Sequence, residues 1–497
     1  MRSSHTVVKN SVVLFSAEVV GSTVHFVVLI LIARHLGIAS FGRYSFVMAF
    51  VTLFQLIADM GVSNILIREV ATKKDELGKW LGAAKSLMWG LSFVAFALMV
   101  ISINLSSSEQ EIRYSGYIMG IAVLATFHAV LYSAVFRAFE EMEYMALGYT
   151  LHKILLLVLI SLAIVLGYQL IGIFVAYLVA NLSLWGFYYR IVVRRYIRPR
   201  LLFDTHIWRT LLIESIPLGL GALLRKAGWQ VDILILTRIS TIPAVGFFSA
   251  AYKIVQSVNL LPVVFAMPLF PVFSKLAVGA PDKFERLYQQ SFKLLFLIGV
   301  PIALTLSILS EWIVLLAYGA QFLPAAQGLQ LLAPTMLFLF VTSTFPYLFI
   351  ALGRQGLYTF STGFCLVVNI LLDVILIPSY GFLGACIGTL VAEMSLFAMG
   401  TVFLARLGYR LHFVSAIWKP LVSGSILGLI LYGVSGASAL WIIVGSASGC
   451  LLYVALLVVM KIFSVDEMAP FIEILQSRRI PFLSKRLSPK RVRPASE

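Results

Sequence analysis

Apolar runs of about 20 residues, the length a helix needs to cross a hydrocarbon core of about 30 Å at 1.5 Å per residue, recur along almost the whole chain. Backbone amides in lipid must pair within their own segment, so these runs are read as helices. The 497 residues are 60% apolar and only 12% charged, with a mean hydropathy of +0.97, whereas soluble domains run near half apolar and a quarter charged. A soluble enzyme of ordinary design is excluded. The fold class expected is an all-α polytopic membrane protein.

Cutting at charge clusters and Gly/Pro/Asn punctuation places spans near 11–33, 44–67, 81–103, 116–136, 146–166 and 170–193. A second set follows near 211–237, 243–273, 290–316, 327–352, 356–377, 382–405, 420–435 and 439–460, about fourteen in all. The run from Ser11 to Ala33 is too long for a signal-peptide core and reads as a retained first span. Soluble sequence concentrates in 194–210, 274–289 and a basic tail after Lys461.

Basic residues test this count, because a wrong span would scramble their alternation between loops. Nearly all of them fall at the termini and in the even-numbered connections; the odd connections hold only Arg34, Arg43, Arg113 and Arg238. Both termini are therefore expected in the cytoplasm of a cell-membrane protein with an even number of spans. The net charge of +16 becomes topology plus attraction to anionic membrane lipids, and a nucleic-acid partner drops out. Cys365, Cys386 and Cys450 all lie inside apolar runs without metal-ligand spacing, so neither a disulfide nor a metal site is expected.

An internal repeat shows where LIARHLGIASFGRYSFVMAFV lies over ILTRISTIPAVGFFSAAYKIV without a gap. Arg34/Arg238, Ile38/Ile242, Gly42/Gly246, Ser45/Ser249 and Val51/Val255 coincide, at the turn joining the first two spans of each half. Six helices separate the copies, so two parallel six-helix repeats are expected, with the last two helices as an appendix. The corresponding units are 1–205, 206–408, 409–463 and a cytoplasmic tail 464–497.

Lys85, Lys153, Arg225, Lys226 and Lys253 lie inside spans. A Lys or Arg at mid-helix costs about 2.5 to 3.5 kcal/mol on insertion scales, and such residues usually face protein or water and mark function. Arg225 and Lys226 are too deep for easy snorkelling, with Trp229 one turn on and Asp232 two turns on. They suit a hydrated cationic cavity between two halves that holds phosphate oxygens. The alternative is a salt-bridge network that only holds the bundle, neutralised by Asp232 or an acid elsewhere. Ser249, Lys253 and Gln256 form a polar stripe on their helix, and its repeat mate carries Thr52, Gln55 and Asp59. Glu18, Ser22 and His25 form another, suited to carrying a proton or binding a cation. Asn369, Asp373 and Glu393 are further intramembrane polar groups, able to hold Na⁺ or a proton or only to balance the bases. Lys153, beside His152, and His128 are weaker candidates. Lys85 lies near a helix end, where it reads as an anchor.

No Walker-type phosphate loop occurs, since the Gly78-Lys79 pair is followed by Trp80, and no metalloprotease or serine-hydrolase motif appears. Transport without catalysis fits better than a membrane enzyme. No catalytic residue and no cofactor is assigned.

ARHLGIASFGRYSF at 33–46 and ADMGVSNILIRE at 58–69 resemble the opening of the polysaccharide (O-antigen and teichoic-acid) flippase family of the multidrug/oligosaccharidyl-lipid/polysaccharide exporter superfamily. The likeness rests on Ala33, Arg34, Leu36, Gly37, Phe41, Gly42, Tyr44 and Ser45, then Gly61, Arg68 and Glu69. It implies two six-helix lobes around a central cavity, alternating access, and a polyprenyl-diphosphate-linked oligosaccharide moved between leaflets for cell-surface polysaccharide assembly. Arg225, Lys226, Lys253, Trp229 and Lys153 are the candidates by position for the anionic headgroup. Glu18, His25, Asp59, Asp232 and Asp373 are candidates for H⁺ or Na⁺ coupling. Glycan-assembly proteins are conceivable partners. The rivals are an ion-coupled drug/cation antiporter of the same superfamily, which three central bases disfavour, and a polymerase or ligase of lipid-linked glycans.

Overall fold

The structure, a computed structural model, describes residues 2–59, 61–460 and 462; the tail 464–497 lies outside the described residues. Every regular element among them is helical. In the first half these are α1 (Arg2–Asp59), α2 (Val62–Thr72), α3 (Leu77–Ser106), α4 (Gln110–Ala138), α5 (Met142–Val165) and α6 (Leu170–Arg195). The second half opens with α7 (Thr205–Ile239), α8 (Ile242–Val258), α9 (Leu260–Ala266), α10 (Phe270–Gly279), α11 (Pro281–Ile308) and α12 (Ser310–Tyr318). Then come α13 (Ala325–Leu332), α14 (Thr335–Thr342), α15 (Phe345–Ala351), α16 (Gln355–Tyr380), α17 (Phe382–Arg406), α18 (Phe413–Val434) and α19 (Ala439–Val459).

A straight helix of 58 residues would run about 87 Å, about twice a bilayer with its headgroups. α1 escapes this by breaking at Gly37, whose φ of 71° and ψ of 179° a side chain would disfavour, so it is two helical arms in sequence. Elsewhere the ends have ordinary causes. Asp204 caps α7 by accepting from the amides of His206 and Ile207, and Thr241 caps α8, with Pro243 in its first turn.

Eleven helices among the described residues are long and apolar enough to cross a membrane, or twelve if Ala325–Leu332 and Thr335–Ala351, bent by 46°, count as one span. Fourteen were expected. The first of the eleven, Ser16–Gln55, contains the Gly37 break, and α7 carries Arg209, Glu214, Arg225, Lys226, Asp232 and Arg238. The protein is a multi-pass membrane protein, and Phe93, Leu105, Val165, Leu429 and Val458 stand exposed on its long apolar helices.

One expected span is cut short, and two keep their extent but are interrupted within, 243–273 lying inside the candidate span Ile242–Gly279. The expected second span, 44–67, ends early at Gly61, which separates the later arm of α1 from α2. The run 243–273 is apolar throughout but contains Pro262, Pro268 and Pro271, whose missing amide donors divide it into α8, α9, a 3₁₀ turn and α10. Pro334 and Pro346 likewise divide 327–352 into α13, α14 and α15. The segment 274–289, expected as soluble connection, is helical apart from Ala280.

One hydrophobic core runs through both halves, from Val28 to Cys386, and a second is built only from residues 269 onward. The halves meet most closely at two glycines. A Cβ on Gly42 would lie 2.3 Å from the Ile242 carbonyl oxygen, and one on Gly246 would lie 2.4 Å from that of Ile38. These four residues are the ones the sequence alignment paired, so the contact is reciprocal. Beside it, Arg34 Nε donates to the Ala317 carbonyl at 2.7 Å, at the C-terminus of α12 where a cation complements the helix dipole. Phe41 packs against Tyr318 and Phe322 at centroid distances of 6.4 and 5.8 Å.

Away from Gly37, the halves are tied by Arg68 of α2, which pairs with Glu214 of α7. The segment between α6 and α7 is strapped to α3: Lys85 Nζ donates to the Pro199 carbonyl at 3.2 Å, and Ser86 Oγ donates to that of Leu202. Trp208 Nε1 reaches the Ala83 carbonyl at 3.0 Å. Lys85 therefore anchors this strap.

Candidate functional site

Two polar centres lie inside the helix bundle. The first is built by α1, α5 and α8. Glu18 and Ser22 stand against the Tyr149 hydroxyl, and Gly21 leaves room for the Tyr149 ring, which a Cβ would meet at 2.3 Å. Lys153, one turn further along α5, lies with Nζ 5.3 Å from the centre of that ring and within electrostatic reach of Glu18. His25 is within reach of Lys153, His152 and, from the second half, Lys253; its buried Nδ1 has no hydrogen-bond partner. Lys253 Nζ donates to Gln256 Oε1 at 2.9 Å.

His152 is held differently. Asn181 donates from Nδ2 to the Ala122 carbonyl at 3.2 Å, so its amide oxygen faces His152, whose Nε2 must be the donor across 2.7 Å. His152 thus ties α5 to α6. The centre as a whole holds Lys153, Lys253 and two imidazoles against Glu18. Positive charge is in surplus there, inside a membrane.

The second centre is built by α7, α16 and α17. Arg225 Nη1 lies 3.1 Å from Glu393 Oε1, with the guanidinium over Trp229 at 5.6 Å from the ring centre. Two turns along α7, Asp232 Oδ1 accepts from Asn369 Nδ2 at 2.8 Å and from Thr389 Oγ1 at 3.2 Å. Asp373 lies against Asp232. The two acids are 1% and 0% exposed, and Asp232 Oδ2 and both Asp373 oxygens lack a hydrogen-bond donor. Burying two such carboxylates together is costly unless positive charge is shared between them. Gly388 permits the approach, because a Cβ there would lie 2.4 Å from Asp373 Oδ1. Two carboxylates with an amide and a hydroxyl form an oxygen-rich donor set of the kind hard cations take.

A small cavity of about 30 Å³ lies between the layers, lined in part by Arg225, Trp229, Asn369, Thr389 and Glu393. A neighbouring cavity of about 10 Å³ is lined in part by Gln256, Tyr252, Thr389 and Glu393. Neither has room for more than about two water molecules.

The candidate residues therefore separate. Arg225 and Lys226 do not act as a pair: Arg225 is neutralised by Glu393, while Lys226 is exposed. Trp229 stacks on Arg225. Lys153, His25, Glu18 and Lys253 come together from three helices, and Asp232 and Asp373 from two. The side chain of Asp59 lies outside the described residues. Sequence reasoning did not single out Tyr149, Asn181 or Thr389. The available signal was i, i+4 spacing, which places Tyr149 with Lys153 and Thr389 with Glu393.

Comparison with known proteins decides the family. The profile described as "Polysaccharide biosynthesis protein" matches residues 7–277, over half of the chain. The chain belongs to the polysaccharide flippase family. That flippase family sits in the multidrug/oligosaccharidyl-lipid/polysaccharide exporter superfamily, and a second profile, "Lipid II flippase MurJ", matches residues 220–454.

A "Probable low-salt glycan biosynthesis flippase" of Haloferax volcanii is 26% identical over 234 residues, 45% of this chain; the chain spans about half of that relative's length, 48%. An uncharacterised membrane protein of Methanocaldococcus jannaschii is 22% identical over 420 residues, covering 80% of this chain and 98% of that protein. Among solved structures, the inward closed conformation of lipid II flippase MurJ superposes with a TM-score of 0.76 at 16% identity, covering 91% of this chain and 98% of that one. An inward-facing multidrug-resistance MATE transporter gives 0.65 at 15% identity, covering 79% and 94%. At these identities the structures show a shared fold.

Proposed function

We propose that the protein is an alternating-access flippase that moves a polyprenyl-diphosphate-linked oligosaccharide from the cytoplasmic to the outer leaflet for cell-surface polysaccharide assembly. The observation that carries this reading is the convergence of Lys253 from the second half on Lys153 and His25 from the first, with Glu18 the acid beside them. A diphosphate neutralises that surplus, and it touches both halves at once. Binding it on one side and releasing it on the other then requires the halves to rock apart, and only interactions that differ between the two states drive the cycle. The family and the Haloferax relative agree with a glycan substrate.

In this reading the chain crosses fourteen times, because the bent pair Ala325–Leu332 and Thr335–Ala351, the second arm of α1 and α7 add one span each to the eleven. Lobes 1–205 and 206–408 are parallel repeats meeting at Gly42 and Gly246, with α18 and α19 appended. The distribution of Lys and Arg puts both termini in the cytoplasm. Asp232, Asn369, Asp373 and Thr389 would hold a monovalent cation, Na⁺ by their oxygen donors, whose binding couples to the cycle. No residue acts as a catalyst. The MATE-like fold keeps a drug/cation antiporter as the second reading, against which the surplus of bases stands.

The test is flipping of a fluorescent polyprenyl-diphosphate oligosaccharide in proteoliposomes. Lys153→Ala/Lys253→Ala is expected to lower the rate at least tenfold at matched reconstitution, and Arg225→Ala/Lys226→Ala to lower it less. Flipping by the Lys153/Lys253 variant at the wild-type rate would remove the diphosphate from the α1/α5/α8 centre. Wild-type protein that moves an organic cation and no lipid-linked glycan would select the antiporter.

A further inference from the structure

The connection between α6 and α7 carries a charged surface that neither polar centre uses. Residues 197–204 form no helix and lie along α3 instead. Their backbone is fixed there: the Leu202 amide donates to the Gly82 carbonyl at 3.3 Å, and Lys85 and Ser86 hold the carbonyls of Pro199 and Leu202. Gly82 allows this approach, because a Cβ there would lie 2.8 Å from the Arg200 carbonyl oxygen. With the main chain turned to α3 and Pro199 buried, the side chains of Arg198, Arg200, Leu201 and Phe203 are left exposed. Phe203 is 72% exposed and Leu201 52%.

Nearby acids are committed elsewhere. Asp204 accepts from the first amides of α7, and Glu141 takes Arg195 at 3.7 Å and the Tyr196 hydroxyl at 2.7 Å. Among the described residues Arg198 and Arg200 have no carboxylate partner. Aromatic rings mark the depth. One turn into α3 from Lys85, half-exposed Trp89 stacks on His128 at 4.2 Å and stands 6.4 Å from Trp185 of α6, with Tyr189 exposed one turn on. Trp and Tyr collect at the boundary between hydrocarbon and headgroups. Beyond Trp89, α3 continues into its exposed apolar residues Phe93, Leu98 and Ile101. The strap is therefore at the level of lipid headgroups, on the side where the basic connections lie.

A loop bathed in water gains nothing by exposing Leu201 and Phe203 between arginines on a fixed backbone. At a lipid surface the same pattern is complementary, because acyl chains cover the apolar side chains while guanidinium groups fork onto phosphate oxygens. A cargo lipid has to be released, whereas this strap is tied to the first half by its own main chain. That suits a resident lipid. We propose that the strap and the adjoining face of α3 and α6 form a binding site for an anionic phospholipid of the cytoplasmic leaflet, with Arg198 and Arg200 holding its phosphate and Leu201 and Phe203 seated beside its chains. The site does not depend on what the protein moves; it depends on the cytoplasmic placement of this connection.

The experiment titrates phosphatidylglycerol or phosphatidylcholine, both with palmitoyl and oleoyl chains, onto the purified full chain in neutral detergent at fixed ionic strength, and counts bound lipid by native mass spectrometry. Wild-type protein is expected to bind the first phosphatidylglycerol about tenfold more tightly than the first phosphatidylcholine, equivalent to about 1.4 kcal/mol. Arg198→Gln/Arg200→Gln is expected to bring that ratio below about threefold, since each base near an anionic surface adds to the attraction. Both side chains are exposed, so the variant should melt as wild type does without lipid. Lys275→Gln/Lys283→Gln removes the same charge from exposed positions on α10 and α11 and should keep the tenfold preference. Phe203→Ser should weaken both lipids alike and leave their ratio unchanged.

Equal binding of the two lipids by wild-type protein overturns the site. So does an equal loss of preference in Lys275→Gln/Lys283→Gln, which would reduce it to a diffuse attraction of charge. Unchanged affinities in Phe203→Ser overturn the seating of the chains. Farnesyl diphosphate that displaces phosphatidylglycerol from wild-type protein but not from Arg198→Gln/Arg200→Gln would assign the strap to a diphosphate cargo and overturn the resident phospholipid.

Discussion

The first and second halves of the chain meet through matching residues but enclose opposite chemistry. At the crossing, Gly42 faces the Ile242 carbonyl as Gly246 faces that of Ile38, at nearly equal distances. Inside, the first half offers half-buried Lys153 and His25 with an exposed Glu18. The second half instead seals Asp232 and Asp373 away from solvent, in contact with each other. A backbone arrangement shared by two halves leaves their side chains free to diverge. In the proposed reading the first half, joined by Lys253 of the second, meets an anion, while the second half alone holds a cation.

The shared part of this comparison breaks hardest. Gly42→Ala and Gly246→Ala each push a methyl group into a backbone carbonyl, which no rotamer change relieves. Each is expected to cost about 3 kcal/mol, the upper end for overpacking, read as a fall in thermal stability of the purified protein. Because the two contacts are one crossing, the double substitution should cost clearly less than the sum. Additive effects, or a loss at only one of the two glycines, would mean that the crossing is not a symmetric unit.

That crossing is legible in the amino-acid sequence, because Ile38, Gly42, Ile242 and Gly246 align without a gap. The long helices are legible for the same kind of reason, since a lipid-spanning helix must be apolar along its whole length. What apolarity hides is where a helix stops. The run 243–273 reads as one span by hydropathy, although it contains Pro262, Pro268 and Pro271 and each removes a backbone donor. Partners in space are hidden more deeply. Arg225 and Lys226 look like a pair because they are adjacent in sequence, but neighbours on a helix point about 100° apart. The acid that neutralises Arg225 lies on α17, and no local pattern connects the two. Asp232, Asn369 and Asp373 can be named as polar groups in apolar helices; that Thr389 completes their set depends on how α7, α16 and α17 pack.

The divergent part is tested by the acids. Asp373→Asn removes one of the two facing carboxylates and with it the reason to bind a cation. Wild-type protein is expected to gain about 2.7 kcal/mol of stability at Na⁺ a hundredfold above its Kd, and Asp373→Asn to gain none. Glu18→Gln, in the other half, should keep the full Na⁺ response. If Glu18→Gln and Asp373→Asn blunt it equally, the cation is not confined to the second half. Gly388 sharpens the same point, since a methyl group there has no room beside Asp373 Oδ1.

The smallest effect is expected where the halves touch away from the glycine crossing. Arg68 pairs with Glu69 and with Glu214 across the two halves, but its side chain is 54% exposed and that of Glu214 39%. Hydrogen bonds to Glu69 and Glu214 raise its pKa above the ordinary arginine value, so its charge is constant at any working pH. Exposed pairs contribute about 0 to 1 kcal/mol and are screened by salt, so Arg68→Ala should lower stability by less than about 1 kcal/mol. The ends joined by Arg34 should behave differently, because its acceptors are helix carbonyls packed beside Phe41 and Tyr318, and salt has little to screen there. In a cysteine-free background, a cysteine at buried Ser215, next to Glu214, reports opening of the Arg68 end through its rate of maleimide labelling. If the pair holds that end closed, Arg68→Ala should speed labelling two- to fivefold, the range that about 0.4 to 1 kcal/mol allows, and raising salt on wild-type protein should do the same. Labelling that ignores both Arg68→Ala and salt would show that the strap of 196–204 on α3, and not this ion pair, keeps the two halves together at that end.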